Sequence, residues 1–191
     1  EIDGDSTQNK VKVLWGESGE GTIELVQINS ETECRDSVKK DVIINELPNP
    51  VISGNDEVCE KNYEQYSSNN ETGFSKIWNI TGGIITDSSD NSIQILWGDY
   101  GEGKVQLIQT NDMTGCIDST SINITINPVP VPEIIGNEIV CTETLEIYES
   151  NSEEGIANRW YITGGQNQVA DTLDYAEIVW DSVSSGQIKL I

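Results

Sequence analysis

The chain has 191 residues, in which 33 Asp and Glu residues outnumber 10 Lys and Arg residues, giving a formal net charge of −23. This acidity excludes polyanionic ligands and argues against nucleic acid and anionic membranes as partners, because phosphate groups require a basic surface. No apolar run approaches the ~18 residues of a membrane span, so we expect no membrane insertion. The chain has no histidine, so we predict no catalytic triad and no transition-metal site. We therefore expect a protein that is not an enzyme and uses no cofactor.

An internal repeat organises the sequence. The stretch 97–103, WGDYGEG, has a counterpart at 15–21, WGESGEG, and the same offset of 82 residues relates cysteines, tyrosines, tryptophans and glycine pairs along the chain. One extra residue near the end of the chain moves the third copy of the motif tryptophan to Trp180. We predict three segments: 1–47 is the C-terminal part of a first repeat, 48–129 is a complete central repeat, and 130–191 is the N-terminal part of a third. Because the chain begins and ends partway through a repeat, we expect it to be a window of a longer protein.

Strand signals are dense in the central repeat, and helix signals are nearly absent. Alternating apolar and polar residues, interrupted by Gly, Asn, Asp and Ser, predict strands at 50–54, 62–68, 74–80, 84–87, 92–97, 104–110 and 116–127. Seven short antiparallel strands in one repeat are typical of an immunoglobulin-like β-sandwich. The predicted fold class is therefore all-β, with one sandwich per repeat.

The tryptophans are predicted to pack in the cores of the repeats: Trp15, Trp78, Trp97, Trp160 and Trp180. Trp78 lies on the third strand, where such sandwiches often bury a tryptophan between the sheets. Trp97 ends the fifth strand, and we expect it to pack over the glycine-rich turn at 98–103. The glycines of this turn are expected to provide positive φ angles rather than to bind phosphate, because no helix follows.

Prolines mark the boundaries between repeats. Pro48 and Pro50 lie at the start of the central repeat, and Pro128, Pro130 and Pro132 lie at the matching place where the third repeat begins. Proline keeps such a linker extended and cannot continue a sheet ladder, so each join should be short and semi-rigid. The expected molecule is an elongated rod of tandem sandwiches.

The order of the repeated residues resembles the PKD-like repeats, immunoglobulin-like domains of very large secreted proteins in Bacteroidetes-type bacteria. The matching residues are Ile52, Gly54, Val58, Cys59, Tyr66, Trp78, Gly82, Gly83, Trp97, Gly98, Gly103, Gly115 and Cys116. The resemblance implies export by type IX secretion, an extracellular location at the outer cell surface, and a role in stalks or adhesins, including gliding adhesins. It implies no catalytic residues. Its expected partners are further copies of the same repeat, with contact to an extracellular surface or polysaccharide made by regions outside this chain.

A second resemblance concerns Asp followed by Ser or Thr and then an aliphatic residue or Thr, which is similar to the O-glycosylation signal of the same bacteria. The candidate acceptors of a covalently attached glycan are Ser6, Ser37, Ser119, Thr172 and Ser182. The alternative is that Asp and Ser cluster at strand starts because their side chains bond to the turn backbone.

The four cysteines at repeat-matched positions favour structural disulfides. Pairing Cys34 with Cys59 and Cys116 with Cys141 would join points nearly two domains apart, and we reject it. Cys59 and Cys116 could pair with each other within one repeat. Alternatively, each could pair with a cysteine of an adjacent repeat, and free thiols are the third possibility.

Oxygen-rich turns offer one weak candidate for a calcium site. Asp87, Asp90 and Asn91 cluster in one turn, and Asp99 with Glu102 in another. Neither has the spacing of an EF-hand loop. Ordinary acidic turn residues explain both clusters more simply.

Two functions remain after these exclusions. The first is a structural spacer in a long surface or secreted adhesin filament. The alternative is a carbohydrate- or ligand-binding module of a secreted multidomain enzyme, which requires exposed aromatic residues on one face. Tyr63, Tyr100 and Tyr161 are the candidates, but each differs from the residue 82 positions away. This variation favours the spacer.

Overall fold

The computed structural model describes residues 2, 3, 9–69, 71–181 and 185–191. These residues form strands, turns and irregular segments without a helix, which confirms the predicted all-β class. None of them belongs to a helix that could cross a membrane. The chain divides into two compact units, Glu1–Pro128 and Val129–Ile191.

The first unit opens with two small sheets. Its strands are β1 (Ile2–Asp3), β2 (Lys12–Val13), β3 (Gly19–Ile28) and β4 (Arg35–Ile44). β3 and β4 form a long antiparallel hairpin. Its turn is closed by Asn29, whose Oδ1 accepts hydrogen bonds from the backbone N–H groups of Glu31 and Thr32. An asparagine that bonds to the backbone two residues on is a common way to build such a turn.

The central part of the first unit is a pair of four-stranded sheets. Its strands are β5 (Ile52–Ser53), β6 (Glu57–Cys59), β7 (Tyr63–Ser68), β8 (Phe74–Thr81), β9 (Gly83–Ser88), β10 (Ser92–Trp97), β11 (Gly101–Asn111) and β12 (Ile117–Asn127). One sheet has the order β5-β7-β10-β9 and the other the order β6-β12-β11-β8. The pairings are antiparallel except that β6 runs parallel to β12. We call residues 48–127 the central sandwich.

Alternating side chains of the two sheets fill the core of the central sandwich. Ile93, Ile95 and Trp97 of β10 are buried, as are Val105 and Leu107 of β11. Their spacing of two residues places them on one face of each strand, as expected when the other face is solvated. The core is therefore built by the period-two pattern visible in the sequence.

Two details of the central sandwich differ from the sequence prediction. β6 was not predicted, and β11 begins three residues earlier than the predicted 104–110 strand. β6 has only three residues and pairs with a strand nearly seventy positions later, so no local pattern indicates it. The glycines at the start of β11 have the composition of a turn, which explains the late predicted start.

The glycines of the turn at 98–103 have three different roles, where we expected positive φ alone. Gly101 has a φ of 141°. Gly98 approaches Gly82 closely, and its N–H donates to the Gly82 carbonyl at 2.8 Å. Gly103 leaves room for the indole, because a Cβ there would lie 2.6 Å from Cζ3 of Trp97. Trp97 does pack over this glycine, as the sequence predicted.

The second unit contains one four-stranded and one two-stranded sheet. Its strands are β13 (Ile134–Ile135), β14 (Leu145–Ser150), β15 (Trp160–Thr163), β16 (Gly165–Asn167), β17 (Tyr175–Trp180) and β18 (Gln187–Leu190). The sheets have the orders β13-β14-β17-β16 and β15-β18. A core of Tyr148, Trp160, Ala176, Ile178 and Trp180 lies in this unit. We call the second unit, Val129–Ile191, the C-terminal unit.

Candidate functional site

A tyrosine–tryptophan pair lies at the centre of each unit. The rings of Tyr66 and Trp97 meet edge to face with centroids 6.0 Å apart, and those of Tyr148 and Trp180 do so at 6.1 Å. Such edge-on contacts are favoured by the charge distribution of aromatic rings. A glycine lies against each tyrosine, since a Cβ at Gly54 would be 2.3 Å from Cδ1 of Tyr66. These contacts make the pair a packing element rather than a reactive group.

The hydroxyl group of each tyrosine is anchored to the backbone. Tyr66 Oη donates to the Asn55 carbonyl at 2.8 Å, and Tyr148 Oη donates to the Asn137 carbonyl at the same distance. Burial raises the pKa of Tyr66 to about 12, because the charged phenolate would lose its hydration. The phenol therefore stays neutral over the physiological pH range.

The tryptophans that were predicted to lie in the cores differ in how far they are buried. Trp97, Trp160 and Trp180 are buried, whereas Trp15 and Trp78 are half-buried. Trp15 nevertheless packs on a glycine as Trp97 does, because a Cβ at Gly21 would lie 2.6 Å from its Cζ3.

One ion pair links the two turns at the end of the central sandwich where β12 stops. Lys61 Nζ lies 2.5 Å from Asp99 Oδ1, and the two side chains are 63% and 83% exposed. The hydrogen bond between them raises the pKa of Lys61 and lowers that of Asp99. Because both side chains are solvated, the Asp99 carboxylate is not in the sheltered environment of a reactive carboxyl group.

The four cysteines are free thiols in this structure. Cys59 is paired with Asn127 at one end of β12, and Cys116 immediately precedes Ile117 at the other end. A strand of this length spans about 35 Å, and a disulfide joins Cα atoms only about 4.4–6.8 Å apart. Cys59 and Cys116 therefore cannot bridge within this fold. Pairing with cysteines of adjacent repeats stays a prediction.

Three of the candidate glycan acceptors are exposed: Ser37, Ser119 and Thr172. The N–H of Ser37 donates to Oδ1 of Asp36 at 2.8 Å, and that of Ser119 donates to Oδ1 of Asp118 at 2.7 Å. These bonds agree with the alternative that the Asp–Ser pairs serve the local backbone. The candidates Ser6 and Ser182 lie outside the described residues.

The weak calcium candidates are dispersed over two elements. Asp87 lies on β9, where its Oδ1 accepts from the N–H of Ser88. Asp90 and Asn91 lie in the following turn, and Asn91 Oδ1 accepts a hydrogen bond from Lys76 Nζ. The ammonium group of Lys76 thus already binds Asn91 Oδ1, the oxygen atom that would have to coordinate a calcium ion. Within the described ranges, no group of three His, Cys, Asp or Glu side chains could hold a metal.

The central sandwich has a polar recess of about 630 Å³ at the end where the chain enters. We call it the Trp78 recess. Its lining includes Glu71, Phe74, Lys76, Trp78, Asp90 and Asn91. β8 supplies the inward-facing Phe74, Lys76 and Trp78, and the turn before β10 supplies Asp90 and Asn91.

Polar side chains meet behind this lining. Lys76 Nζ donates to the Asn69 carbonyl at 2.8 Å as well as to Asn91 Oδ1. Gln109 of β11 lies opposite Lys76 in the sheet and is fully buried. Its Nε2 donates to Glu71 Oε2 at 3.3 Å. The cluster thus brings together one ammonium, one carboxylate, two amide side chains and the backbone carbonyl of Asn69.

Some polar atoms of this cluster have no hydrogen-bond partner. Among the described residues, five buried side-chain N or O atoms lack a partner, and three of them belong to this region: Asn69 Oδ1, Trp78 Nε1 and Gln109 Oε1. Sequence reasoning missed this site. The available signal was Gln109, a polar residue at the inward position that follows Val105 and Leu107 in the alternating pattern.

The three candidate tyrosines of a binding surface lie on three different elements. Tyr63 is on β7, on the side of its sheet opposite to Tyr66, and Tyr100 is in the turn before β11. Tyr161 is on β15 of the C-terminal unit. All three are exposed.

No protein-family model matches the chain, and a search of curated proteins also finds no match.

Proposed function

We propose that the chain is a run of tandem immunoglobulin-like sandwiches that acts as a non-catalytic spacer in an extracellular stalk. The strand order of the central sandwich supports the immunoglobulin-like part of this proposal. Labelled in chain order, a seven-stranded constant-type domain pairs A-B-E-D in one sheet and C-F-G in the other. The orders β5-β7-β10-β9 and β8-β11-β12 correspond to these, with β6 as a second piece of the first strand.

The recurrence of local geometry supports the tandem repeat, and it is the observation that carries the proposal. Lys61 and Glu143, 82 positions apart, have φ angles of 58° and 62° although neither is glycine. Gly82 and Gly164 both have a φ of 82°. An unfavourable backbone conformation that recurs at one offset indicates one fold built twice.

The N-terminal hairpin supports a third copy. β3 pairs with β4 from Gly19↔Ile44 onward, and β11 pairs with β12 from Gly101↔Ile126 onward, so the registers agree at the same offset. The turns agree as well, because Asn111 Oδ1 accepts from the N–H groups two and three residues on, as Asn29 does. The hairpin is therefore proposed to be the last hairpin of a preceding sandwich.

A spacer also accounts for what varies between the units. The packed contacts recur, whereas the exposed aromatic residues change: Leu145 stands where the central sandwich has Tyr63. A repeat that only supplies length must keep its core and is free to vary its surface. The location at a bacterial outer surface, type IX secretion and a link to adhesins rest on the resemblance to PKD-like repeats, and we propose them on that basis.

The cysteines fit a stalk in which neighbouring sandwiches are bonded together. Cys59 lies where the chain leaves the central sandwich, and Cys116 lies at the entry end. We expect Cys59 to pair with the cysteine of the following repeat that corresponds to Cys116. Non-reducing peptide mapping of a chain with three complete repeats checks this pairing, and free thiols in the oxidised protein would contradict it.

The spacer proposal is tested by changing the number of repeats. Small-angle X-ray scattering compares the 191-residue protein with a form in which residues 48–129 are duplicated. One added sandwich should lengthen the maximum dimension by about 35–40 Å, the span of its longest strands. An unchanged maximum dimension would mean that the repeats collapse on each other, and the spacer role would then be wrong.

A further inference from the structure

The ammonium group of Lys76 contacts the side-chain amide of Asn91 in the central sandwich. Lys76 is half-buried and lies on the inward face of β8, which also carries Phe74 and Trp78. Its Nζ donates to Asn91 Oδ1 and, at 2.8 Å, to the Asn69 carbonyl. Because a carbonyl carbon is only about 1.2 Å from its oxygen, this hydrogen bond places Nζ beside Cγ of Asn91. An amine nitrogen thus lies next to the carbon of a primary amide, as amide exchange between the two groups requires.

The backbone holds both partners of this contact in place. Asn91 immediately precedes β10, and its carbonyl accepts a hydrogen bond from the N–H of Ser68 on β7 at 2.8 Å. Lys76 is paired with Gln109 of β11 in the other sheet. The contact therefore joins a strand of one sheet to a turn of the other. Reacting groups that are fixed in good orientation behave as if they were very concentrated, with effective molarities of about 10⁵–10⁸ M.

The C-terminal unit shows the same two positions in contact. Asn158 corresponds to Lys76, and Asp174, which immediately precedes β17, corresponds to Asn91. Asn158 Nδ2 donates to Asp174 Oδ1 at 2.9 Å. This pair contains an amide and a carboxylate but no amine, so it cannot form a new amide bond. Both units share the contact, whereas the reactive combination of side chains occurs in the central sandwich.

We propose that Lys76 and Asn91 are joined by an isopeptide bond in the folded central sandwich. Nζ of Lys76 attacks Cγ of Asn91, so that a new C–N bond forms and the bond between Cγ and Nδ2 breaks. The lysine ammonium gives up two protons, and the departing NH₂ group takes up both and leaves as an ammonium ion. One positive charge therefore leaves the protein, and no oxidant or other reactant is consumed. Loss of the ammonium ion to solvent makes the step irreversible.

Glu71 carries the proton between the two nitrogen atoms in this reaction. It lines the Trp78 recess together with Lys76 and Asn91. Its Oε2 accepts a hydrogen bond from Nε2 of Gln109 at 3.3 Å, and Gln109 lies opposite Lys76 in the sheet. A carboxylate placed in this way can take a proton from the attacking amine and return it to the leaving group.

The experiment is tryptic peptide mapping of the 191-residue protein. Without the bond, trypsin cuts after Lys76 and releases residues 62–76 and 77–104 as separate peptides. With the bond, the Lys76 amine is acylated and trypsin does not cut there, so residues 62–104 should appear as one peptide. Its mass should be about 17 Da below that of the unmodified sequence, the mass of ammonia. Backbone breaks between residues 76 and 91 should release no fragment ions, because the new ring holds both pieces.

Matched lysine substitutions separate the cross-link from other losses of ammonia. Lys76→Arg keeps the positive charge but removes the amine, and should restore the two separate peptides at full mass. Lys104→Arg makes the same change on β11 and should retain the cross-link. Glu71→Gln can still accept the hydrogen bond from Gln109 but cannot carry a proton, so the cross-linked fraction should fall.

Two outcomes overturn the proposal. The first is recovery of residues 62–76 and 77–104 at full mass from the unaltered protein. The second is a loss of ammonia that persists in Lys76→Arg, because Asn91 would then have cyclised onto its own backbone. An equal cross-linked fraction in Glu71→Gln would refute the role of Glu71 in proton transfer. None of these outcomes depends on the spacer role.

Discussion

The central sandwich and the C-terminal unit share a core but not the polar end of that core. Tyr66 with Trp97 and Tyr148 with Trp180 have nearly identical ring geometry. At the entry end, however, Lys76 and Asn91 of the central sandwich correspond to Asn158 and Asp174. The aromatic pair is thus retained in both units, whereas the polar side chains at the entry end differ.

The largest expected effect concerns the aromatic centre. Trp97→Ala should destabilise the central sandwich by about 4 kcal/mol, because it leaves a large cavity in the core. Trp180→Ala is the matched change in the C-terminal unit. Amide hydrogen exchange at Ile95 and Ile178 reports the two units separately. Each variant should lower protection in its own unit, and equal losses in both units would contradict their independence.

The second prediction concerns alkaline stability. The pKa of Tyr66 is raised to about 12 when it is folded, so the folded state binds more protons than the unfolded state between pH 10 and 12. The stabilisation is complete below about pH 10 and is lost as the pH rises toward 12, by about 2–3 kcal/mol in total. Urea unfolding of the central sandwich across this range measures the loss. Tyr66→Phe should have a flatter profile, and an unchanged slope in that variant would refute the assignment to Tyr66.

A smaller effect is expected at the glycines beneath the tyrosines. A Cβ would lie 2.3 Å from Cδ1 of Tyr66 at Gly54 and 2.2 Å from Cδ1 of Tyr148 at Gly136. Gly54→Ala and Gly136→Ala should each cost about 1–2 kcal/mol, because the ring must shift in a packed core. Gly73→Ala is a contrasting variant with open space around the new methyl group, where only the positive φ opposes the change. Thermal unfolding of the three variants ranks them, and a neutral Gly54→Ala would be inconsistent with the close approach.

The smallest effect is expected at the exposed ion pair. Lys61→Ala should leave the thermal midpoint unchanged within error, because both partners are solvated and screened by salt. The C-terminal unit already has Glu143 at this position, with the same positive φ. Lys61→Gly should be slightly stabilising, because glycine adopts this φ freely. A marked loss in Lys61→Ala would show that the ion pair matters more than its exposure indicates.

Much of the fold could be predicted from the sequence, because the core positions of β10 and β11 alternate with a period of two. The sequence also predicted that Trp97 and its counterpart Trp180 pack in the cores, where both are buried. The strand β6 was not predicted, because its pairing with β12 is non-local. The Trp78 recess was not predicted, because it depends on the contact between Lys76 and Asn91 across a turn. No spacing rule describes such a contact. Local patterns report which side of a strand is buried, but not which polar groups meet at its end.

The parallel pairing of β6 with β12 determines how the central sandwich responds to tension. A pull on its two ends draws β6 back toward the entry end and β12 outward, so the two strands are loaded in shear along their length. Bonds such as Thr125 N–H to the Asp56 carbonyl and Glu60 N–H to the Asn127 carbonyl, at 2.8 and 2.9 Å, then bear the force together instead of opening one after another. We therefore expect the three-residue strand that the sequence did not reveal to resist unfolding when the two ends of the sandwich are pulled.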